Sequence, residues 1–190
     1  MMKALLLYDR QSVDYQGQNL SVRAAAAARA VGCELTTQML DGDRMRPCRG
    51  CFQCWVKTPG LCVFTDDNAN TISRQVMQSD ALILLTEICY GGLSYDIKAF
   101  LDRFIPNILP FFRLIDGEMH HQARYQRIPA MITVGYGPYT PAEGQTFREL
   151  AERNAINLQP PAHSVFCIDS FDDVDKTMQS LSAALAGEGR

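Results

Sequence analysis

Short apolar runs of strand length alternate with longer helical stretches along the whole chain. Lys3–Tyr8 (KALLLY) is the first run, followed by the polar stretch Asp9–Asn19 and then by SVRAAAAARAVG. Alanine is the best helix former and Gly32 supplies a stop, so a helix is predicted there. Cys33–Leu40 (CELTTQML) reads as a second strand. Asp66, Asp67 and Asn68 can cap a helix running to about Gln78, their carboxylates suiting the positive end of its dipole. Ala81–Leu85 (ALILL) has the continuous apolar character of a buried strand. Ser94 opens SYDIKAFLDRFI, which sets Ile97, Phe100, Leu101 and Phe104 on one face and ends at Pro106. Pro129–Val134 and His163–Ile168 read as the fourth and fifth strands. Thr146–Asn154 reads as part of a helix between them, and Asp172–Leu185 as the closing helix.

Strands alternating with helices argue for an α/β chain with a parallel sheet covered on both faces. Five such units suit a flavodoxin-like three-layer sandwich, a five-stranded sheet in the order 2-1-3-4-5. No repeat, low-complexity tract or linker divides residues 1–190, so a single domain is expected. One connection resists the pattern: Pro106–Arg127 is long, and loops of that length are usually functional. It carries LPFFRL and GEMHHQARY, whose Phe111 and Phe112 suit a lid or a subunit contact. Its adjacent histidines do not converge without a sharp bend, and His163 is expected in a strand, so no three-histidine site is visible. Asp102, Arg103, Glu149 and Arg153 read as charges on helix surfaces.

Composition narrows the function classes. The 190 residues carry a formal net charge of −3, with no basic footprint for nucleic acid. No apolar run approaches the about 18 residues that suggest a membrane span. The opening MMKALLLYDR is too short an apolar run for a secretory signal. A reducing cytoplasm is therefore expected, and the seven cysteines suit metal or redox chemistry better than a disulfide framework.

Four of those cysteines, Cys48, Cys51, Cys54 and Cys62, fall within CRGCFQCWVKTPGLC. A CxxCxxC run supplies three thiolates of a four-iron cluster, and Cys62 would close the site. The same residues can be free or oxidisable thiols in a structural loop, a zinc site or a disulfide, although structural zinc sites more often use two separated pairs. Cys33 and Cys167 read as small buried hydrophobes, and Cys89 as a packing residue beside the crevice.

In such a sheet, ligands bind beyond the carboxyl ends of the strands. After the first strand, Arg10, Ser12, Gln18, Asn19 and Ser21 offer charge and donors to a phosphate at a helix N-terminus. Capping alone explains the same residues, and neither a Walker nor a GxGxxG pattern is present. After the third strand, TEICYGGLS places Tyr90 as an aromatic wall beside Gly91 and Gly92, which let backbone approach a flat ring. Gly135 and Tyr136 repeat the idea after the fourth strand.

From GCFQCW with Cys62 and Asp66–Asp67, and from YGGLSYDIKAFLDR, the chain resembles the NAD(P)H-dependent FMN reductases. It is most similar to their iron–sulfur flavoprotein branch. The resemblance implies FMN, its phosphate near Arg10, Ser12, Asn19 and Ser21 and its ring near Thr86, Glu87, Ile88, Tyr90, Gly91 and Gly92. It implies NAD(P)H as hydride donor, a small-molecule or protein electron acceptor, and a homodimer or homotetramer. Two features depart from the family: Asp9 and Asp14 put negative charge in the phosphate loop, and Glu87 and Cys89 stand where proline and an aromatic are usual. Three functions remain open: an FMN-dependent oxidoreductase, an iron–sulfur electron carrier with a 4Fe-4S cluster, and a flavodoxin-like binding module that has lost flavin.

Overall fold

A computed structural model describes residues 1–187. The elements run β1 (Lys3–Tyr8), α1 (Leu20–Ala30), β2 (Glu34–Met39), a one-turn α2 (Gln53–Val56), α3 (Ala69–Met77) and β3 (Ala81–Cys89). Next come β4 (Gly92–Leu93), α4 (Tyr95–Asp102), β5 (Ile108–Ile115), β6 (Glu118–Ala123), β7 (Ala130–Tyr136), α5 (Pro141–Leu158), β8 (His163–Cys167) and α6 (Asp173–Ala186). The central sheet is ordered β2-β1-β3-β7-β8 with every neighbour parallel. This is the expected 2-1-3-4-5 arrangement; the short β4 adds an antiparallel pairing at the end of β3.

Strand periodicity divides the core into two layers. Leu6, Ile83 and Val134 face α1 and α6, where Ala24 and Ala28 keep α1 close to the sheet and Leu181 and Leu185 fill the rest. Leu5, Leu7, Leu82 and Leu84 face the other way, onto Ile72 and Val76 of α3, Ile97 and Phe100 of α4, and Phe147 of α5. Each fully buried leucine contributes about 2 kcal/mol by area, so the sheet is fixed from both faces before any loop is placed. No helix among the described residues is long and apolar enough to cross a membrane.

Three elements differ from the sequence reading. β3 runs on to Cys89, four residues past the expected end, and folds back through Tyr90 and Gly91 onto β4. Both turn residues have positive φ, 52° and 75°, the geometry of a tight two-residue hairpin. The proposed ring loop is therefore half strand. The patternless connection is a second hairpin, β5–β6, turned at Asp116–Gly117 with φ of 50° and 86°. Its strands point Phe111, Phe112, Leu114 and Met119 outward, so no alternation announces a buried face. α5 starts at Pro141, well before Thr146, behind a capping box formed by Thr140 and Glu143.

Candidate functional site

The ends of β1, β3 and β7 meet on one side chain, Asp9, which has no solvent-exposed surface. Its carboxylate accepts from the Ser12 N–H at 3.1 Å, the Glu87 N–H at 2.6 Å and the Tyr136 hydroxyl. Burial pushes the Asp9 carboxyl up, against the opposing pull of these bonds. Glu87 is also raised, by its own burial and then by the Asp9 charge. Asp9 thus ties the first loop to the two strands beside it.

Ser12 is buried and donates its hydroxyl to the Asp9 carbonyl at 2.7 Å. Asn19 caps α1 by accepting from the Val22 N–H at 2.9 Å, and the Ser21 hydroxyl donates to the same Asn19 oxygen at 2.7 Å. Gln18 accepts from Arg23 at 2.8 Å. Asn19 and Ser21 sit in the first turn of an eleven-residue helix, where free N–H groups favour an anion.

Arg10 has a different partner from the phosphate expected of it. Its Nε and Nη2 reach the Asp96 carboxylate at 3.0 and 3.1 Å, and Nη1 lies 3.2 Å from Asp43. The reason is electrostatic: Asp96 has only 2% of its side chain exposed and would otherwise be a stranded charge. Burial pushes Asp96 up, but the Gly42 N–H and the Arg10 guanidinium outweigh it and hold the carboxyl below its ordinary value. Asp96→Asn is expected to lower the urea midpoint near neutral pH. Wild type's advantage is full above the unfolded value near 3.8 and is lost as pH falls through the lower folded value. Urea titrations of both proteins across that range check it.

The expected ring residues divide into a lip and a floor. Tyr90 is 97% exposed at the hairpin tip, and Glu87 and Gly92 are partly exposed beside it. Thr86 and Ile88 are buried; the Thr86 oxygen accepts from the Ser94 N–H at 2.9 Å. Tyr136 is fully buried beneath Asp9, so it cannot line an open crevice as expected. Gly135 serves packing, because a Cβ there would come within 2.5 Å of Phe147. Gly91 would likewise meet Thr146 at 2.9 Å. Gly137 has φ of 120°, and a Cβ there would come within 3.1 Å of the Glu87 side chain.

The cysteine segment lies between β2 and α3. Cys48, Cys51, Cys54 and Cys62 line one cavity with Phe64, Arg103 and Ile105. Burial raises the Cys54 thiol, and the neighbouring Cys62, Cys48 and Cys51 raise it further. No group of three His, Cys, Asp or Glu side chains among the described residues converges closely enough for a single ion. All seven cysteines are free. Left-handed Gly50 and Phe52 bend the loop, and α2 is pinned by Trp55, whose ring N–H donates to the Ile108 carbonyl at 2.9 Å.

Arg103 is the residue the sequence reading misplaced. Its side chain is 1% exposed and pairs with Asp67, itself 2% exposed, at 2.7 Å. The signal was its position just past the end of α4, three residues after Phe100 and seven after Asp96, both of which face inward. His120 and His121 point to opposite faces of β6, toward Asn157 and the Leu109 carbonyl respectively. Cys33 and Cys167 are buried, as expected.

Comparison with known families matches residues 2–162 to NADPH-dependent FMN reductase. The chain belongs to that family. An iron–sulfur flavoprotein of Archaeoglobus fulgidus is 33% identical over 75 residues, 40% of this chain and 33% of that one. An iron–sulfur flavoprotein of Methanocaldococcus jannaschii is 34% identical over 88 residues, 46% and 44% of the two chains. The chain thus covers less than half the length of these curated relatives. Among solved structures, an NAD(P)H:quinone oxidoreductase from Methanothermobacter marburgensis superposes with a TM-score of 0.67. It is 10% identical, covering 100% of this FMN reductase family member and 98% of that chain. An azoreductase from Bacillus anthracis gives 0.62 at 12% identity, covering 98% of each. These two likenesses establish the fold.

Proposed function

We propose that this FMN reductase family member is an FMN-dependent oxidoreductase that takes hydride from NAD(P)H and carries an iron–sulfur cluster on its cysteine loop. The observation that carries the reading is the placement of two sites on one helix. Asp96 in the first turn of α4 holds the first loop, and Arg103, at the end of α4, borders the cysteine cavity. Seven residues of helix separate them, about 10 Å.

The donor sets fit both groups. Asn19, Ser21 and Gln18, with the first turn of α1, would hold the FMN phosphate, and buried Ser12 supports them from beneath. Arg10 shapes this loop through Asp96 and leaves phosphate binding to neutral donors. Glu87, Tyr90, Gly91 and Gly92 would edge the ring above Thr86 and Ile88, while Tyr136 and Gly135 support that layer from within the core. Four cysteines line one cavity, and four thiolates are the number a 4Fe-4S cluster uses. Cys48, Cys51, Cys54 and Cys62 would hold it. When bound, FMN accepts hydride and the cluster passes electrons singly. The chain's own work is to bind, to orient and to keep the floor dry. Asp9 holds the three strand ends in register, and Glu87, raised by burial and by Asp9, retains its proton to higher pH than a free glutamate beside the ring.

A flavin-free binding module is the second reading, favoured by the Asp9 carboxylate in the phosphate loop and by the Arg10 charge already spent on Asp96. One experiment separates them: an absorption spectrum of protein purified without oxygen and passed through gel filtration with FMN, with iron and sulfide assayed on the same sample. Flavin bands with about four irons per chain are expected. Flavin without iron leaves an FMN reductase with a thiol loop, and the electron acceptor is then sought among small molecules. Colourless protein after FMN addition overturns the oxidoreductase reading.

A further inference from the structure

The Arg103 side chain is 1% exposed and pairs with Asp67, itself 2% exposed. A buried ion pair is often no more stabilising than apolar residues of the same volume, so the Arg103–Asp67 pair needs a further reason. Its Nη1 donates to Asp67 at 2.7 Å and to the Arg46 carbonyl at 2.6 Å, and its Nη2 to Asp67 at 3.2 Å and the Phe64 carbonyl at 3.3 Å. Its Nε is the one buried side-chain nitrogen or oxygen without a partner among the described residues. The guanidinium lies 5.5 Å from the centre of the Phe64 ring, which also meets Arg46 at 5.4 Å and Arg49 at 5.2 Å. Arg103 lines the same cavity as the four cysteines. The cavity is therefore walled by a fixed positive charge with an unused donor.

We propose that Arg103 sets the reduction potential of a cluster held by Cys48, Cys51, Cys54 and Cys62, stabilising its reduced form through its charge and its unpaired Nε–H. This inference rests on the cluster reading above. Reduction transfers one electron, from reduced flavin or from dithionite in the test, and adds one negative charge to a site already holding four thiolates. A buried cation beside the sulfurs favours that added charge, and an N–H donor to sulfur acts in the same direction. Asp67 opposes it, because its carboxylate neutralises part of the guanidinium.

The two members of the pair must then shift the potential in opposite directions, which a merely structural role would not do. The measurement is an EPR-monitored redox titration of reconstituted wild type, Asp67→Asn, Arg103→Lys and the double variant Asp67→Asn/Arg103→Gln. Asp67→Asn is expected to move the potential up. The double variant is expected to fall below Asp67→Asn by at least a tenfold change in the reduction equilibrium, about 59 mV for one electron. Arg103→Lys keeps the charge and loses the Nε donor, so it is expected to fall below wild type by less; it carries the test if the double variant does not fold. A cluster present at full occupancy with potentials unchanged, or shifted the same way by Asp67→Asn and the Arg103 variants, overturns the role of Arg103 alone. Wild type that takes up neither iron nor sulfide overturns the cluster reading and this inference with it.

Discussion

Cys51→Ser and Cys54→Ser are each expected to take bound iron and sulfide from about four per chain to less than one, while FMN content stays unchanged. A cubane cluster uses one thiolate per iron, and these two cysteines are the middle and last of the CxxCxxC run. Serine is nearly isosteric but a poor ligand for this cluster, so the loss reads ligation and not folding. The FMN residues lie on other elements, at the ends of β1 and β3 and the start of α1, which is why flavin should survive. Cys33→Ser and Cys167→Ser provide the control, since both thiols are buried outside the loop. If the loop variants retain iron at wild-type stoichiometry, the metal is held elsewhere and the cysteine cavity is a thiol site only.

The sheet was legible because its information is local. KALLLY, ALILL and PAMITV are continuous apolar runs, and each became a parallel strand with residues buried on both faces. The turns also carried local signals that the hydrophobic pattern masked. Asp116–Gly117 is a favoured hairpin dipeptide, and Thr140 three residues before Glu143 is a capping box. What could not be read is pairing across the chain. Arg10 looks like a phosphate ligand until Asp96, 86 residues away, is found against it. Tyr136 looks like an open aromatic until its hydroxyl is found on Asp9, 127 residues away. Arg103 followed the general rule that charges on helices face water, and only its stagger with Phe100 argued otherwise. In each case, the sequence supplied the residue type and the tertiary structure chose its partner.

Asp9→Ala is expected to destabilise the fold by about 3 kcal/mol or more, measured by urea unfolding at neutral pH. The variant removes the acceptor for the Ser12 N–H, the Glu87 N–H and the Tyr136 hydroxyl, all within a site with no exposed surface. Each stranded buried donor costs about 1–3 kcal/mol, and a water entering the vacated space recovers part of the sum. Asp9→Asn should lose less, because its amide oxygen still accepts, although its NH2 then faces a donor. The pH dependence gives an independent check with a fixed sign. Burial raises the folded Asp9 carboxyl above its unfolded value near 3.8. The folded protein therefore takes up this proton before the unfolded chain does, and stability associated with Asp9 grows as pH falls through the raised folded value. Wild type's lead over Asp9→Ala should widen from neutral pH toward mild acid. Over the approach to 3.8 and below, its lead over Asp96→Asn should close. A lead over Asp9→Ala that narrows instead would mean that the three donors hold the charged carboxylate more tightly than burial penalises it.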